Sequence, residues 1–495
     1  MKIPSKINVK TALIFVGISI LLTSALFYAF ATTPSSTFYI SSGVYPGAPS
    51  FTIWRESSNY FAKNANGQIG YSGTNFTAVF TSAQDNLPIH GGVIKLKSGY
   101  YEGWIFIHRD GVFVEGEGSW ATQVNLETEP VPEALYGTVI KPPSGKNGIE
   151  IGGWDSGEGV GENDDGWKYG IQIRDLGIWF TTASTGHGIT TGTPYNKTTV
   201  TNLVVENIKV LGHDENHYAL QLCNFLYSTF KNILAWGGGL LEIYANSAWL
   251  HQGNSIFDQL FLKVTEDFNT VEHVGVYPIF IHRNGSIGEG NTFTNLCNFR
   301  RIQVNNPVTQ TGAYFYEAYI HDLRYSTFLD LNLEGVNGNK IKMGTAHHVD
   351  FIDAYMWALN PADSYLNVAS NTEYIKWDNC YLEDIVDGNI TNLYVNCEIV
   401  GDIDPNTQAA FINLVNNSGV ATLSGASVTV DAKFIGPNDY VVLTIIEADS
   451  VATGDFIKVD TINNAPTNTF VVNCGDEGAP ASAIVFYWEI KHASP

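Results

Sequence analysis

Val205-Glu206-Asn207-Ile208 and Phe230-Lys231-Asn232-Ile233 are two copies of one phrase: an apolar residue, any residue, an Asn, Asp or Gln, then an apolar residue. It returns as Ile173-Arg174-Asp175-Leu176, Phe257-Asp258-Gln259-Leu260, Phe293-Thr294-Asn295-Leu296, Phe328-Leu329-Asp330-Leu331, Phe351-Ile352-Asp353-Ala354, Trp377-Asp378-Asn379-Cys380 and Tyr394-Val395-Asn396-Cys397. Successive copies lie 17 to 36 residues apart. That spread is too uneven for helix pairs and natural for a β-solenoid, whose coils stack while their loops vary in length. A short amide or carboxylate suits a coil corner because it tolerates turn dihedrals, bonds to backbone and pairs with the coil above. The expected fold class is all-β, a right-handed parallel β-helix. Asn207, Asn232, Asn295 and Asn379 should then share one buried corner.

Composition fits one large solenoid with a small appendage. The chain of 495 residues is too long for one compact core, and its 44% hydrophobic content excludes disorder. It carries 26 Lys and Arg against 49 Asp and Glu, a formal charge of -23. Such a surface repels nucleic acid and anionic lipid and disfavours a polyanionic substrate unless cations intervene. Cys223, Cys297, Cys380, Cys397 and Cys474 have no metal-ligand spacing and read as buried thiols. Cys380 and Cys397, at equivalent corners of successive coils, are also candidates for a disulfide.

Lys2, Lys6 and Lys10 precede an uncharged run from Ala12 to Ala31, long enough to span a bilayer at about 20 residues. Its end, Ala29-Phe30-Ala31, also fits a signal cleavage site. Cleaved signal or retained anchor, either exports the remainder, and the length of the run favours the anchor. The membrane is thus expected as a partner only through this segment, and the protein outside the cell or at its surface. Sequons at Asn75, Asn196, Asn284, Asn389 and Asn416 are compatible with a glycosylated surface.

Residues 1 to 35 read as this signal or anchor plus linker, 36 to 90 as a cap, 91 to 408 as the β-helix and 409 to 495 as a C-terminal module. Phe76, Val79, Phe80 and Ala83 have helical spacing, and a solenoid needs such a cap over its open apolar end. In the module, alternation at Val428, Val430, Ala432, Phe434, at Phe470, Val472, Cys474 and at Ile484, Phe486, Trp488, Ile490 predicts a small antiparallel β-sandwich.

The strand phrases Gly91-Gly92-Val93-Ile94-Lys95-Leu96-Lys97-Ser98-Gly99-Tyr100-Tyr101 and Val112-Phe113-Val114-Glu115-Gly116-Glu117-Gly118 resemble the opening of the pectate-lyase-like superfamily. The stretch from Thr52 through Lys63-Asn64 to Gly99 resembles the start of archaeal-type secreted β-helix proteins. The resemblance covers roughly residues 50 to 400. It implies the fold and leaves activity open, because that superfamily includes lyases, hydrolases, epimerases, tailspikes and inert surface proteins.

Chemistry is expected on the outer face. Strand alternation stacks Glu150, Gln172, Thr190, Gln221 and Glu242 as one polar stripe. Nearby loops supply His213-Asp214-Glu215-Asn216-His217, His251, His282-Arg283 and His321-Asp322. Hydrolysis of a glycosidic bond needs two carboxylates, for which Asp214, Glu242 and Glu317 are candidates, with His217 and His282 able to hold a proton. Elimination needs a base and a cation facing the substrate carboxylate, for which Arg283 or His282 with calcium would serve. Gln221, His217 and His251 are candidate substrate-binding residues. The loop from Trp154 to Trp167 offers Asp155, Glu158, Asp164 and Asp165 as calcium ligands, without the EF-hand spacing. Asp164-Asp165 and Gly186-His187-Gly188 are similar to polygalacturonase motifs, but the Asn-Thr-Asp and Arg-x-Lys phrases are absent, and Gly186-His187-Gly188 also reads as a turn into a strand.

Two functions follow. One is an extracellular carbohydrate-active β-helix protein, glycosidase or polysaccharide lyase, acting on a polysaccharide or surface glycan. The other is a non-catalytic cell-surface, adhesin or tailspike-like glycan binder.

Overall fold

The computed structural model describes residues 49–118, 137–152, 167–181, 185–191, 199–245, 252–264, 277–283, 294–306, 316–335, 339–358 and 366–403 apart from 371, 388 and 390, with 409–412 and the C-terminal strands between 418 and 491. The expected signal or anchor segment lies outside them. Among the described residues no helix is long and apolar enough to cross a membrane.

Strands Phe51–Glu56, Asn59–Asn64 and Ile69–Gly73 form an antiparallel meander, and Phe51–Glu56 then pairs in parallel with Gly92–Leu96, the first strand of the solenoid. The predicted helix is Phe76–Asp85. Asn75 caps it by accepting from the Ala78 N–H at 3.1 Å. Its buried face is Phe76, Val79, Phe80, Ala83 and Gln84, as the spacing requires. Arg109 fixes its end by donating to the carbonyls of Gln84 at 2.7 Å, Asp85 at 2.9 Å and Leu87 at 3.1 Å, satisfying acceptors that a helix terminus leaves open.

Each coil then repeats one circuit, seen in the coil of Val204–Cys223 and Phe225–Leu226. A first-sheet strand (204–206) reaches the Asn207 corner, a second-sheet strand follows (208–211), then a third (218–223) and a short fourth before the next coil. Neighbouring coils pair strictly in parallel. The register stacks Val205, Phe230, Phe257, Phe299, Phe328, Phe351, Trp377 and Tyr394 in one interior column. From Phe230 onward the ring centroids are 4.8, 4.8, 4.4, 4.8, 3.9 and 6.0 Å apart. Spacing of this size is the strand separation itself, so the coil rise sets the aromatic contact.

The corner column is Asp175, Asn207, Asn232, Gln259, Arg301, Asp330, Asp353, Asn379 and Asn396, all with φ between 52° and 59°. That left-handed conformation is one Asn and Asp accept more readily than other side-chain-bearing residues. The amides pair between coils: Asn232 donates to Asn207 at 2.7 Å, Asn207 to Asp175 at 2.9 Å and Asn379 to Asp353 at 2.6 Å. Two expectations are corrected. Asn207 is half-buried while Asn232 and Asn379 are exposed, because the left-handed turn carries these side chains along the outer edge. Asn295 is not in the column: it pairs with Gly253 and Arg324 on the short fourth sheet. Its coil is turned instead by Arg301, whose Nε donates to Asp258 at 2.9 Å, and that guanidinium hides the repeat from a search for amides.

Cys223, Cys297, Cys380 and Cys397 are buried thiols, with no disulfide among them. The C-terminal strands form two three-stranded antiparallel sheets: Ser418–Leu423, Ile484–Lys491 and Tyr440–Ala448 in one, Ser427–Asp431, Thr469–Cys474 and Ile457–Asn463 in the other. Their strands include the alternating residues Val428 and Val430, Phe470 to Cys474 and Ile484 to Ile490, while Ala432 and Phe434 lie outside the described residues.

Candidate functional site

The third sheet carries the candidate site. Its inward column is Ile149, Ile189, Leu220, Leu241, Ile279, Ala318 and Ile341, all at most 1% exposed. One residue on, the alternate positions read Glu150, Thr190, Gln221, Glu242, Phe280, Tyr319 and Lys342 in successive coils, with Glu150 and Thr190 buried and the rest partly exposed. Four of the five residues of the expected stripe are here. Gln172 is not: it pairs with Phe113 and Val204 on the first sheet, since strand Gln172–Trp179 crosses the ladder corner and belongs to a different side of the coil.

A hydrogen-bonded chain runs along this column. The Thr190 hydroxyl donates to Gln221 Oε1 at 3.1 Å, and Gln221 Nε2 donates to Glu242 Oε2 at 2.8 Å. From the next coil, His282 Nε2 lies 2.9 Å from Glu242 Oε1. An ionised carboxylate only accepts, so His282 donates from Nε2, and a neutral imidazole then keeps its basic lone pair on Nδ1. Glu242 is 13% exposed and His282 20%: reachable, yet largely withdrawn from water.

Glycines upstream make room for rings. A Cβ at Gly237 would meet the His213 ring, and one at Gly239 would meet Tyr218. His213 lies buried on this run, 2.8 Å from the Gly239 carbonyl through Nε2. The Tyr218 N–H donates to His187 Nδ1 at 3.1 Å, and the His187 and His217 rings meet at 4.7 Å. Burial, then His217 and His213, push the His187 imidazole well below its usual range, so it stays neutral. Burial and then the Glu242 charge push the Tyr218 phenol well above its usual range. Burial raises the Glu150 carboxyl, against the opposing pull of Asn147 and Lys146.

Downstream of Glu242 the face turns aromatic. Phe280 stacks on His282 at 3.6 Å and 9°, and Tyr277 stacks on Tyr319 at 5.0 Å and 20°. Lys342 Nζ closes this patch 5.5 Å above the Tyr319 ring and 5.7 Å above Tyr316.

The structure brings together Glu242, His282 and Gln221, while His217 lies against His187. Glu317 is corrected: its carboxylate is fully buried and bonded to buried Lys340 at 2.7 Å, so it faces a lysine and not a substrate. Arg283 ends strand Ile279–Arg283 and Asp214 lies within strand Val204–Cys223, but the side chains of both fall outside what is described, as do His251 and the calcium candidates Asp155, Glu158, Asp164 and Asp165. Among the described residues no group of His, Cys, Asp and Glu could hold a metal ion. Sequence reading missed Tyr218, Tyr277, Phe280, Tyr319 and Lys342, and met His187 only in the Gly186-His187-Gly188 phrase. Register was the missing signal, since Phe280 and Tyr319 occupy the same outward position as Glu242.

No protein-family model matches this chain, and a comparison with curated proteins finds no match. Among solved structures it is similar to ORF18 of Geobacillus virus E2, at 12% identity over 82% of this chain and 75% of that one, with a TM-score of 0.35. It is similar to a tailspike of Acinetobacter baumannii bacteriophage Fri1, a capsular polysaccharide depolymerase, at 12% identity over 84% and 82% of the two chains, TM-score 0.32. A third is DFA-IIIase from Arthrobacter chlorophenolicus A6 in complex with GF2, at 10% identity over 68% and 90%, TM-score 0.38. Likeness at this level carries no argument about activity, and the parallel β-helix stands on the coil register.

Proposed function

We propose that this chain is a carbohydrate-acting β-helix protein whose third sheet holds a glycan strand and whose Glu242 and His282 form the reactive pair. The observation that carries this reading is the convergence of Gln221, Glu242 and His282 from three successive coils beside the Phe280 and Tyr319 rings. Glu242 orients the imidazole through Nε2, leaving Nδ1 to take a proton from a sugar carbon or a water. Aromatic faces hold the apolar faces of sugar rings. The N-terminal run from Ala12 to Ala31 supports an exported location, secreted or anchored.

A single base with an orienting carboxylate suits elimination better than hydrolysis. Among the described residues Glu150 is the other outward carboxylate of the column, three coils from Glu242. That is about 14 Å along the axis, beyond the roughly 5 to 9.5 Å of a glycosidase pair. The same observation favours a second reading, a glycan binder without chemistry. Incubation of the exported part with a panel of polysaccharides decides. Fragments from the unmodified protein, and a loss of about 10² to 10⁴-fold in Glu242→Gln and His282→Gln with unchanged melting, support the enzyme. Full turnover in both variants removes this site, and binding without fragments moves the protein to the second reading.

A further inference from the structure

The aromatic patch ends on a lysine whose position bears on which glycan the face accepts. Lys342 stands in the outward column beyond Tyr319, three coils from Glu242. Two other charged groups on or next to strand Tyr316–Ile320 are occupied. Glu317 is bonded to Lys340 at 2.7 Å, and Asp322 receives His321 Nδ1 at 2.6 Å with its side chain 6% exposed. Among the described residues Lys342 forms no ion pair. In a chain with 26 basic and 49 acidic residues, Lys342 places a half-buried ammonium over the Tyr319 and Tyr316 rings within the outward column itself.

We propose, on the basis of the glycan reading above, that Lys342 is the anion-recognising end of the site, so that the preferred strand carries an anionic group on a sugar about three residues from the one at Glu242. A coil rises about 4.8 Å, close to the length one pyranose adds to a chain, so a strand along the column places successive sugars over Glu242, Phe280, Tyr319 and Lys342. Phe280 and Tyr319 hold ring faces in between. The ammonium meets a carboxylate or sulfate ester at the far end, and the tyrosine rings beneath it keep the lysine stem in place. The expected repulsion of polyanions by the net charge is thereby answered locally, where the column presents a cation.

The test uses the full chain and affinity gels containing polygalacturonate or alginate for carboxylate, dextran sulfate for sulfate, and unmodified dextran as the neutral probe. Unmodified protein is expected to be retarded most by an anionic gel, less so as salt rises. Lys342→Met should lose about tenfold in that affinity while keeping its melting temperature and its interaction with any neutral gel. The gel that shows this loss identifies the anionic group. Equal retardation of variant and unmodified protein in every anionic gel overturns the Lys342 assignment and leaves the glycan reading intact. Preference for neutral dextran does the same. Retardation by no polysaccharide overturns both. Should Lys342→Met melt early, Lys342→Arg, which keeps the charge, must restore anionic binding or the assignment falls.

Discussion

His187 shows how much a single ring can reveal. It accepts the Tyr218 N–H through Nδ1, and a protonated imidazole cannot accept there. Charging it therefore breaks a bond in the folded state and none in the unfolded chain. Because its folded pKa is depressed, the stability it contributes is present above its ordinary value of 6.5 and is lost as pH falls below that value toward the lower folded pKa. Thermal melts from pH 7.5 down to 5 should fall for the unmodified protein, and fall less for His187→Asn, which keeps an acceptor near the Nδ1 position. Parallel pH curves would show that His187 does not titrate in this window. Sequence alone presented Gly186-His187-Gly188 as similar to a polygalacturonase motif or as a turn into a strand, since nothing in the local phrase announces that Tyr218, 31 residues on, donates to the ring.

Among elements, the glycine run and the aromatic column carry opposite lessons. Gly239→Ala forces a methyl group against Tyr218 three residues before Glu242. Its expected outcome is lost turnover or glycan binding with a lowered melting temperature, whereas an indifferent variant would mean that Tyr218 moves freely. Phe299→Ala removes a ring held between Phe257 at 4.8 Å and Phe328 at 4.4 Å. Denaturant unfolding should register about 3 to 5 kcal/mol, the range for a buried aromatic truncation. Asn232→Ala is expected to cost about 1 to 2 kcal/mol for its left-handed corner, and Asn232→Gly less, because glycine accepts that backbone freely. The repeat of apolar residues and amides made the fold legible. The corner at Arg301 and the false copy at Asn295 were not, because both depend on pairing across 40 or so residues, which a phrase search does not weigh.

At the scale of the molecule, charge dominates. A net -23 makes the folded chain repel itself, so sodium chloride should raise the melting temperature. Calcium at matched ionic strength separates general screening from a specific site. A further rise over sodium, reversed by chelator, is expected if Asp155, Glu158, Asp164 and Asp165 form the loop site, and equal melts would remove it. The solenoid, its cap helix and the outward positions of Glu150, Thr190, Gln221 and Glu242 were readable from periodicity. The face proposed to hold glycan was readable only in part. Glu242, Gln221 and His282 stood out as polar residues in strands, while the aromatic half and Lys342 look like ordinary strand residues until the coils are stacked.

Because every coil is held to the next by hydrogen bonds directed along the axis, the fold has a mechanical grain. Tension applied along that axis loads one ring of bonds at a time and peels the outermost turn first, whereas a pull across it must shear many bonds together. The 27 residues from Phe230 to Phe257 would pay out about 90 Å of slack when their turn lets go. Force spectroscopy should therefore record a train of small, unequal steps whose lengths follow the uneven spacing of the corners.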